Sequence, residues 1–501
     1  MSARTRAGLG LLIACGSLGW LQACSDDAAT GGGSPTTTST TGSACLAGCE
    51  GGGSGTGGSG AGAGGGLVTD VCGNGTCAPS ELCSTCEDDC GVCTGDPITV
   101  TRGPYLQMGT DDAVTVKWRT AEPSGSVVAL GTTLGQLTAV ANGPSEPTTE
   151  HEVRVTALDP STQYFYAFGT PESPLVGGDA EHFFSTSPTK GTAQPTRLWV
   201  IGDAGTANAN QEAVRDAYLA FVGAQRADLF LMLGDNAYSD GTDDEYQEAV
   251  FDMYPQVLKN TVTWATLGNH DGHSADSGTE TGPYYDIFSL PRQAEAGGVP
   301  SGTEAYYSFD YGTIHFVCLD SYDSDTSTDG DMLTWLTSDL TANTQPWLVA
   351  FWHHPPYTKG SHDSDDEGEL IDMRERALPI LESFGVDLIL TGHSHAYERS
   401  YYISGHYGDS GSFSNANLID GGDGRADGDG AYTRDQGSEA GAVYVVAGSS
   451  GQTSGGTLDH PAMFVSLNEL GSLVVDVAGS TLDATFIDDT GDVRDTFSIA
   501  K

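Results

Sequence analysis

The chain has 501 residues, more than one ordinary domain needs, and its 68 acidic and 20 basic side chains give a formal charge of −48. That balance argues against nucleic acid as a partner, because phosphate backbones are gripped by clustered Lys and Arg. An acidic, well-solvated surface also repels anions at long range, so attraction for a phosphate ester has to arise inside a site.

The N-terminus carries Arg4 and Arg6, an apolar run from Leu9 to Leu21, and then Leu21-Gln22-Ala23-Cys24. Residues 1–24 read as an export signal of lipoprotein type, with an ordinary secretory signal as the other reading. The expected location is therefore outside the cytoplasm, as an outer-membrane or cell-surface lipoprotein or as a secreted protein. No later segment has the unbroken apolar length of a membrane span, so attachment is expected only through a lipid on Cys24.

Residues 25–66 are Gly, Ser, Thr and Ala with almost no large apolar side chains, the composition of a flexible tether. Residues 67–95 hold six cysteines between Cys72 and Cys93, including two C-x-x-C pairs that suit zinc or disulfides. An oxidising compartment favours a three-disulfide knot, with its pairing open. Cys318, inside Ile314-His315-Phe316-Val317-Cys318-Leu319, is expected to be a buried core thiol.

Residues 98–190 alternate apolar and polar side chains in short segments such as Ala113–Trp118, the pattern of a small all-β sandwich. Within it, Leu158-Asp159-Pro160-Ser161-Thr162-Gln163-Tyr164 resembles the corner of fibronectin type III domains, where a tyrosine hydroxyl returns to the backbone. From residue 195 to 500 the pattern becomes α/β. Apolar runs Leu198–Ile201, Asp228–Leu233, Trp264–Leu267, Trp347–Trp352 and Asp387–Leu390 read as buried strands. Between them, Val214, Tyr218, Phe221 and Val222 share one helical face. Leu370, Met373, Ala377 and Leu381 share another, in a helix that Pro379 kinks or shortens. Gly441–Gly448 and Ser472–Val477 read as further strands that complete a second sheet. The Asp- and Gly-rich stretch 420–430 lacks EF-hand spacing and reads as an acidic loop, with a calcium loop as the alternative.

Layered α/β sheets bind ligands beyond the carboxyl ends of their strands. Five such ends are followed at once by Gly202-Asp203-Ala204-Gly205, Gly234-Asp235-Asn236-Ala237-Tyr238, Gly268-Asn269-His270-Asp271, His353-His354 and Gly392-His393-Ser394-His395. One such block is as often a helix cap as a ligand, but the ordered set is the inventory of a two-metal hydrolytic site. Tyr238 narrows the metal, because a phenolate favours a hard, highly charged ion.

These blocks resemble the calcineurin-like metallophosphoesterases and, within them, the purple acid phosphatases, over about residues 98 to 500. The general type begins with D-x-H, whose histidine binds metal; here Gly205 stands in its place and Tyr238, three residues after Asp235, replaces it as in the purple branch. The resemblance implies an α/β fold, a two-sheet αββα metallophosphoesterase sandwich preceded by the small all-β domain. It implies Asp203, Tyr238 and His395 on Fe(III), Asn269, His353 and His393 on a divalent Zn, Mn or Fe(II), and Asp235 bridging both. Hydroxide generated at the metals would attack a small-molecule phosphate monoester. His270, next to Asn269, is the candidate proton donor to the leaving oxygen or a donor to the developing charge, and the resemblance makes His362 an outer-sphere phosphate contact, with a solvated loop as its other reading. His354, directly after a ligand on an extended segment, is expected to face away. Ala350 and Asp271 depart from the usual valine and glutamate without removing a ligand. Two other readings stand beside this one, a phosphodiesterase or nucleotide-cleaving enzyme on the same metals and a surface binding protein with a vestigial catalytic domain. The sequence leaves the oligomeric state open.

Overall fold

The computed structural model describes residues 72–78, 81–434 and 441–501; the export signal, Cys24 and the tether lie outside the described residues. The fold is built on two large sheets that share one apolar core. At the centre of the ten-stranded sheet, Thr196–Ile201, Leu229–Met232 and Val262–Ala265 run parallel and are apolar and almost wholly buried, as strands covered on both faces must be. The seven-stranded sheet has Ile314–Cys318, Trp347–Phe351, Leu388–Thr391 and Val443–Ala447 as its parallel centre.

A helix over Ala209–Val222 covers one outer face, with Tyr218 stacked on Trp199 at 3.9 Å. Asn208 caps it by accepting from the backbone N–H groups of Asn210 and Gln211. Its buried stripe is Gln211, Val214, Ala217, Tyr218 and Val222. Phe221, expected on that face, is instead 42 % exposed, because it lies one residue round from Val222 at the last turn. The second expected helix buries Leu370, Met373, Ala377 and Leu381 as anticipated. It runs as Gly368–Asp372, a π turn over Met373–Ala377 and Leu378–Ser383, so Pro379 is accommodated by a wider turn just ahead of it.

Two expectations about sheet membership change. Gly471–Ala478, which contains Ser472–Val477, joins the ten-stranded sheet by pairing antiparallel with Thr196–Ile201, whereas Val443–Ala447 does enter the second sheet. Of the all-β segments, Val100–Gln107, Ala113–Ser124 and Thr148–Thr156 continue the ten-stranded sheet, with Leu106 registered parallel on Val262. The remainder forms a five-stranded sheet. At its corner the Asp159 N–H donates to Tyr164 Oη at 2.9 Å, the contact expected of that segment. The six clustered cysteines pair as Cys72–Cys86, Cys77–Cys90 and Cys83–Cys93, and Leu82 of this knot packs on Val127, Ala129 and Val140. Cys318 is buried and free. Among the described residues no helix is long and apolar enough to cross a membrane.

Candidate metal centre

Five loops open where five parallel strands end. Asp203 follows Thr196–Ile201, Asp235 follows Leu229–Met232, and Asn269 follows Val262–Ala265; His353 follows Trp347–Phe351 and His393 follows Leu388–Thr391. Because the strands come from both sheets, the loops converge at one edge of the shared core. Three of these residues hold left-handed backbone conformations, Asp203 at φ 54°, Asp235 at 51° and His393 at 63°. For non-glycine residues this costs on the order of 1 to 2 kcal/mol each, the kind of strain retained where side-chain direction matters.

Two glycines make the convergence possible. A Cβ on Gly268 would lie 2.1 Å from Asp235 N, so the Asn269 loop can touch the Asp235 loop only through glycine. A Cβ on Gly205 would lie 2.4 Å from Ala237 N, and Gly205 O accepts from Tyr238 N–H at 2.8 Å. The residue that lacks a metal-binding side chain is thus the one whose bareness lets the tyrosine-bearing loop close in.

The side chains gather in two touching groups. In one, Tyr238 Oη lies 3.2 Å from Asp203 Oδ1 and 3.3 Å from His395 Nε2. In the other, His353 Nε2 lies 3.1 Å from Asn269 Oδ1 and 3.4 Å from Asp235 Oδ1, and the His353 and His393 rings are 5.0 Å apart. Donor atoms of Asp203, Asp235 and His353 all fall within 4.8 Å of one another, which joins the groups through Asp235. His353 Nδ1–H donates to Leu233 O at 2.8 Å, and His395 Nδ1 sits 2.8 Å from Ser454 Oγ. Both arrangements turn Nε2 inward, the orientation a ligating imidazole takes.

That geometry fits a cation. Asp203 and Asp235 are buried beside each other, and their ion pairs among the described residues are with histidines alone. Burial disfavours a charged His353, but the carboxylates of Asp235 and Asp203 outweigh it and push it up to about 9. A proton on His353 therefore holds the place a metal would take among facing acceptors. Burial, together with Asp203 and Asp235, also raises the Tyr238 phenol well above its ordinary value. Only a strong Lewis acid would convert it to a phenolate. Burial lowers His393 to about 4, with the neighbouring His353 and His362 adding to the effect, so this imidazole is neutral and ready to ligate.

His270 Nδ1–H donates to Ser239 O at 2.6 Å, and its Nε2 lies 4.0 Å from Asp235 Oδ2. His362 stacks on His393 with ring centroids 3.8 Å apart, so it too stands at the centre. His354 does not turn away as alternation implies. Residues 353 and 354 lie past the end of their strand, and the His354 ring packs 4.3 Å from His393 while its Nδ1 lies 2.8 Å from Ser321 Oγ. Burial, reinforced by His393 and His353, holds it well below its usual range.

Sequence reasoning passed over Glu367. Its carboxylate accepts from His362 Nδ1 at 2.9 Å and lies 3.2 Å from His393 Nε2, so the two imidazoles are tied by one anion. The available signal was its position just ahead of the helix at Gly368, but Asp363, Asp365, Asp366 and Glu369 surround it and none stands out by type. Gln452 Nε2, 3.4 Å from His395 Nε2, was likewise silent.

Residues 196–397 match the family model for calcineurin-like phosphoesterases, and residues 102–188 match that for the purple acid phosphatase N-terminal domain. Over these two stretches the chain is similar to the purple acid phosphatases. Among curated relatives, purple acid phosphatase 15 of Arabidopsis thaliana is 30 % identical over 277 residues, covering 50 % of this chain and 49 % of its own length. The probable purple acid phosphatase 20 of the same plant is 28 % identical over 313 residues, covering 59 % and 68 %. The chain thus spans about half the length of the first of these purple acid phosphatases. A purple acid phosphatase from yellow lupin (Lupinus luteus) seeds has a similar fold, with a TM-score of 0.61 at 18 % identity, covering 79 % of this chain and 74 % of its own.

Proposed function

We propose that the chain is a purple acid phosphatase, an exported, dinuclear metal-dependent enzyme that hydrolyses phosphate monoesters at acidic pH. The observation that carries the reading is the convergence of seven donor side chains in two groups joined at the buried Asp235. Asp203, Tyr238 and His395 would hold Fe(III), where two anionic donors offset the triple charge. Asn269, His353 and His393 would hold Zn, Mn or Fe(II), and Asp235 would bridge. Such a pair of cations supplies Lewis acidity to the phosphoryl oxygens and acidity to water.

The chain's own residues then have distinct tasks. Ser239 fixes the His270 tautomer through Nδ1, which leaves Nε2 to carry a proton to the departing oxygen. His362, held by Glu367, is placed to donate to the phosphoryl group. Since the overall charge repels anions, these histidines and the cations provide the local attraction. The three disulfides support export, and lipid attachment at Cys24 would tether the enzyme to a membrane.

Metal analysis with an aryl phosphate assay tests the proposal. The purified protein should retain two metals per chain and a visible charge-transfer band that Tyr238→Phe removes. Asp235→Ala should lose both metals and hydrolysis, and full activity in a metal-free Asp235→Ala protein overturns the reading. Paired mono- and diester substrates fix the ester class.

A further inference from the structure

A sixth strand end reaches the metal centre. Val443–Ala447, in the parallel middle of the seven-stranded sheet, runs into Gly448-Ser449-Ser450-Gly451-Gln452, a block that carries none of the seven donors. Its two glycines let the loop lie against Asp203. A Cβ on Gly451 would stand 2.7 Å from Asp203 O, and one on Gly448 would stand 2.9 Å from Asp203 Oδ2. Ser450 N–H donates to Gly202 O at 3.2 Å, which ties the loop to the strand end that bears Asp203.

Two residues of this segment then close on His395. Ser454 N–H donates to His395 O at 3.2 Å and Ser454 Oγ lies 2.8 Å from His395 Nδ1, while the half-buried Gln452 brings its Nε2 to 3.4 Å from His395 Nε2. The Gln452 side chain also hydrogen-bonds Tyr238, whose Oη lies 3.3 Å from the same His395 Nε2, and it favours the ionised form of the phenol. One neutral amide donor thus faces two atoms of a single ligand group. Those atoms differ in capacity. An imidazole nitrogen has one lone pair, which ligation takes, whereas a ligating phenolate oxygen keeps another that can accept a hydrogen bond. With both side chains on a metal, the Gln452 N–H is left with the Tyr238 oxygen.

We propose that Gln452 is a positioning residue for the Tyr238 oxygen, and that its amide N–H, by hydrogen-bonding the phenolate, reduces the charge the phenolate gives to Fe(III). This rests on the ferric reading above. A hydrogen bond lowers the energy of the phenolate lone pairs, just as hydrogen bonds to ligating sulfur tune copper and iron–sulfur sites. A less donating phenolate leaves the trivalent ion the stronger Lewis acid toward the phosphoryl oxygens.

The test reads the visible charge-transfer band and the ferric reduction potential of the metal-loaded full chain. Gln452→Met keeps the length of the side chain and removes its donor. The transition out of the phenolate then needs less energy, so the band should move to longer wavelength, and the potential should become more negative because the better donor stabilises the ferric state. A band or a potential that stays at the wild-type value, or a band that moves to shorter wavelength, overturns the inference, while the colour that persists leaves the ferric reading standing. Gln452→Leu answers the same question if the methionine variant does not fold. A wild-type protein that binds its metals without any visible band removes the ferric reading and this inference together.

Discussion

Asp271 is the carboxylate on which the alignment of the two ligand loops depends. It is fully buried and accepts from four donors: Asn236 N at 3.1 Å, Asn236 Nδ2 at 2.9 Å, Gly268 N at 2.9 Å and Tyr246 Oη at 2.6 Å. Two of these lie on the loop after Asp235 and one on the loop that bears Asn269. Asp271→Asn keeps the shape but turns one acceptor into a donor facing donors. At about 1 to 3 kcal/mol for each buried group left unpaired, two orphaned donors cost about 2 to 6 kcal/mol. The loss falls on the relative position of Asp235 and Asn269, so metal affinity should drop about 10- to 100-fold, as for other groups that orient ligands. Urea unfolding measures the first effect and metal retention after dialysis against a weak chelator the second. A variant within about 0.5 kcal/mol of wild type that keeps both metals would refute the reasoning.

Other sites give sharper single outcomes. His315 is buried between Asp310 at 2.8 Å and Asp339 at 2.7 Å; burial opposes its charge, but the two carboxylates push it up to about 9. The folded value lies above the unfolded one, so on the order of 3 kcal/mol of stability is fully present below about pH 6.5 and is lost as pH rises through about 9. His315→Gln should flatten that stretch of the stability curve, and an unchanged curve counts against it. Arg399 is buried and bidentate on Asp495, at 2.6 and 3.0 Å, so Asp495→Asn strands a guanidinium and should cost about 3 to 5 kcal/mol in chemical denaturation. Glu367→Gln removes the anion between His362 and His393, and titration should show divalent affinity falling about tenfold or more while the tyrosinate colour persists. Loss of the colour instead would mean that Glu367 acts on the other half of the centre.

What the sequence made legible was chemistry attached to strand ends. Apolar runs locate the parallel strands, and a rare residue type directly after each end stands out whatever the rest of the chain does. Partners that act through distance were hidden. Gly471–Ala478 pairs with Thr196–Ile201, more than 270 residues earlier, and local patterning cannot say which sheet receives such a strand. The same limit hid the merging of Val100–Gln107 with the central sheet, because one parallel contact at Val262 decides it. Glu367 was hidden for another reason: an acidic residue in an acidic loop carries no compositional signal, and only the imidazoles above it give its carboxylate a task.

The pairing of Gly205 with Tyr238 shows how local and long-range information combine. As text, Gly205 is a missing histidine and Tyr238 an unusual ligand, two separate facts. In space they are one contact, since Gly205 O accepts from Tyr238 N–H and a Cβ at 205 would strike the Ala237 backbone. A histidine at 205 would push away the loop that carries the phenol, so the two ligand schemes exclude each other sterically. Gly205→His should therefore lose the Tyr238-dependent colour without gaining an equivalent donor. A variant that retains the colour would show that the loop can yield, and the exclusion would then be chemical rather than steric.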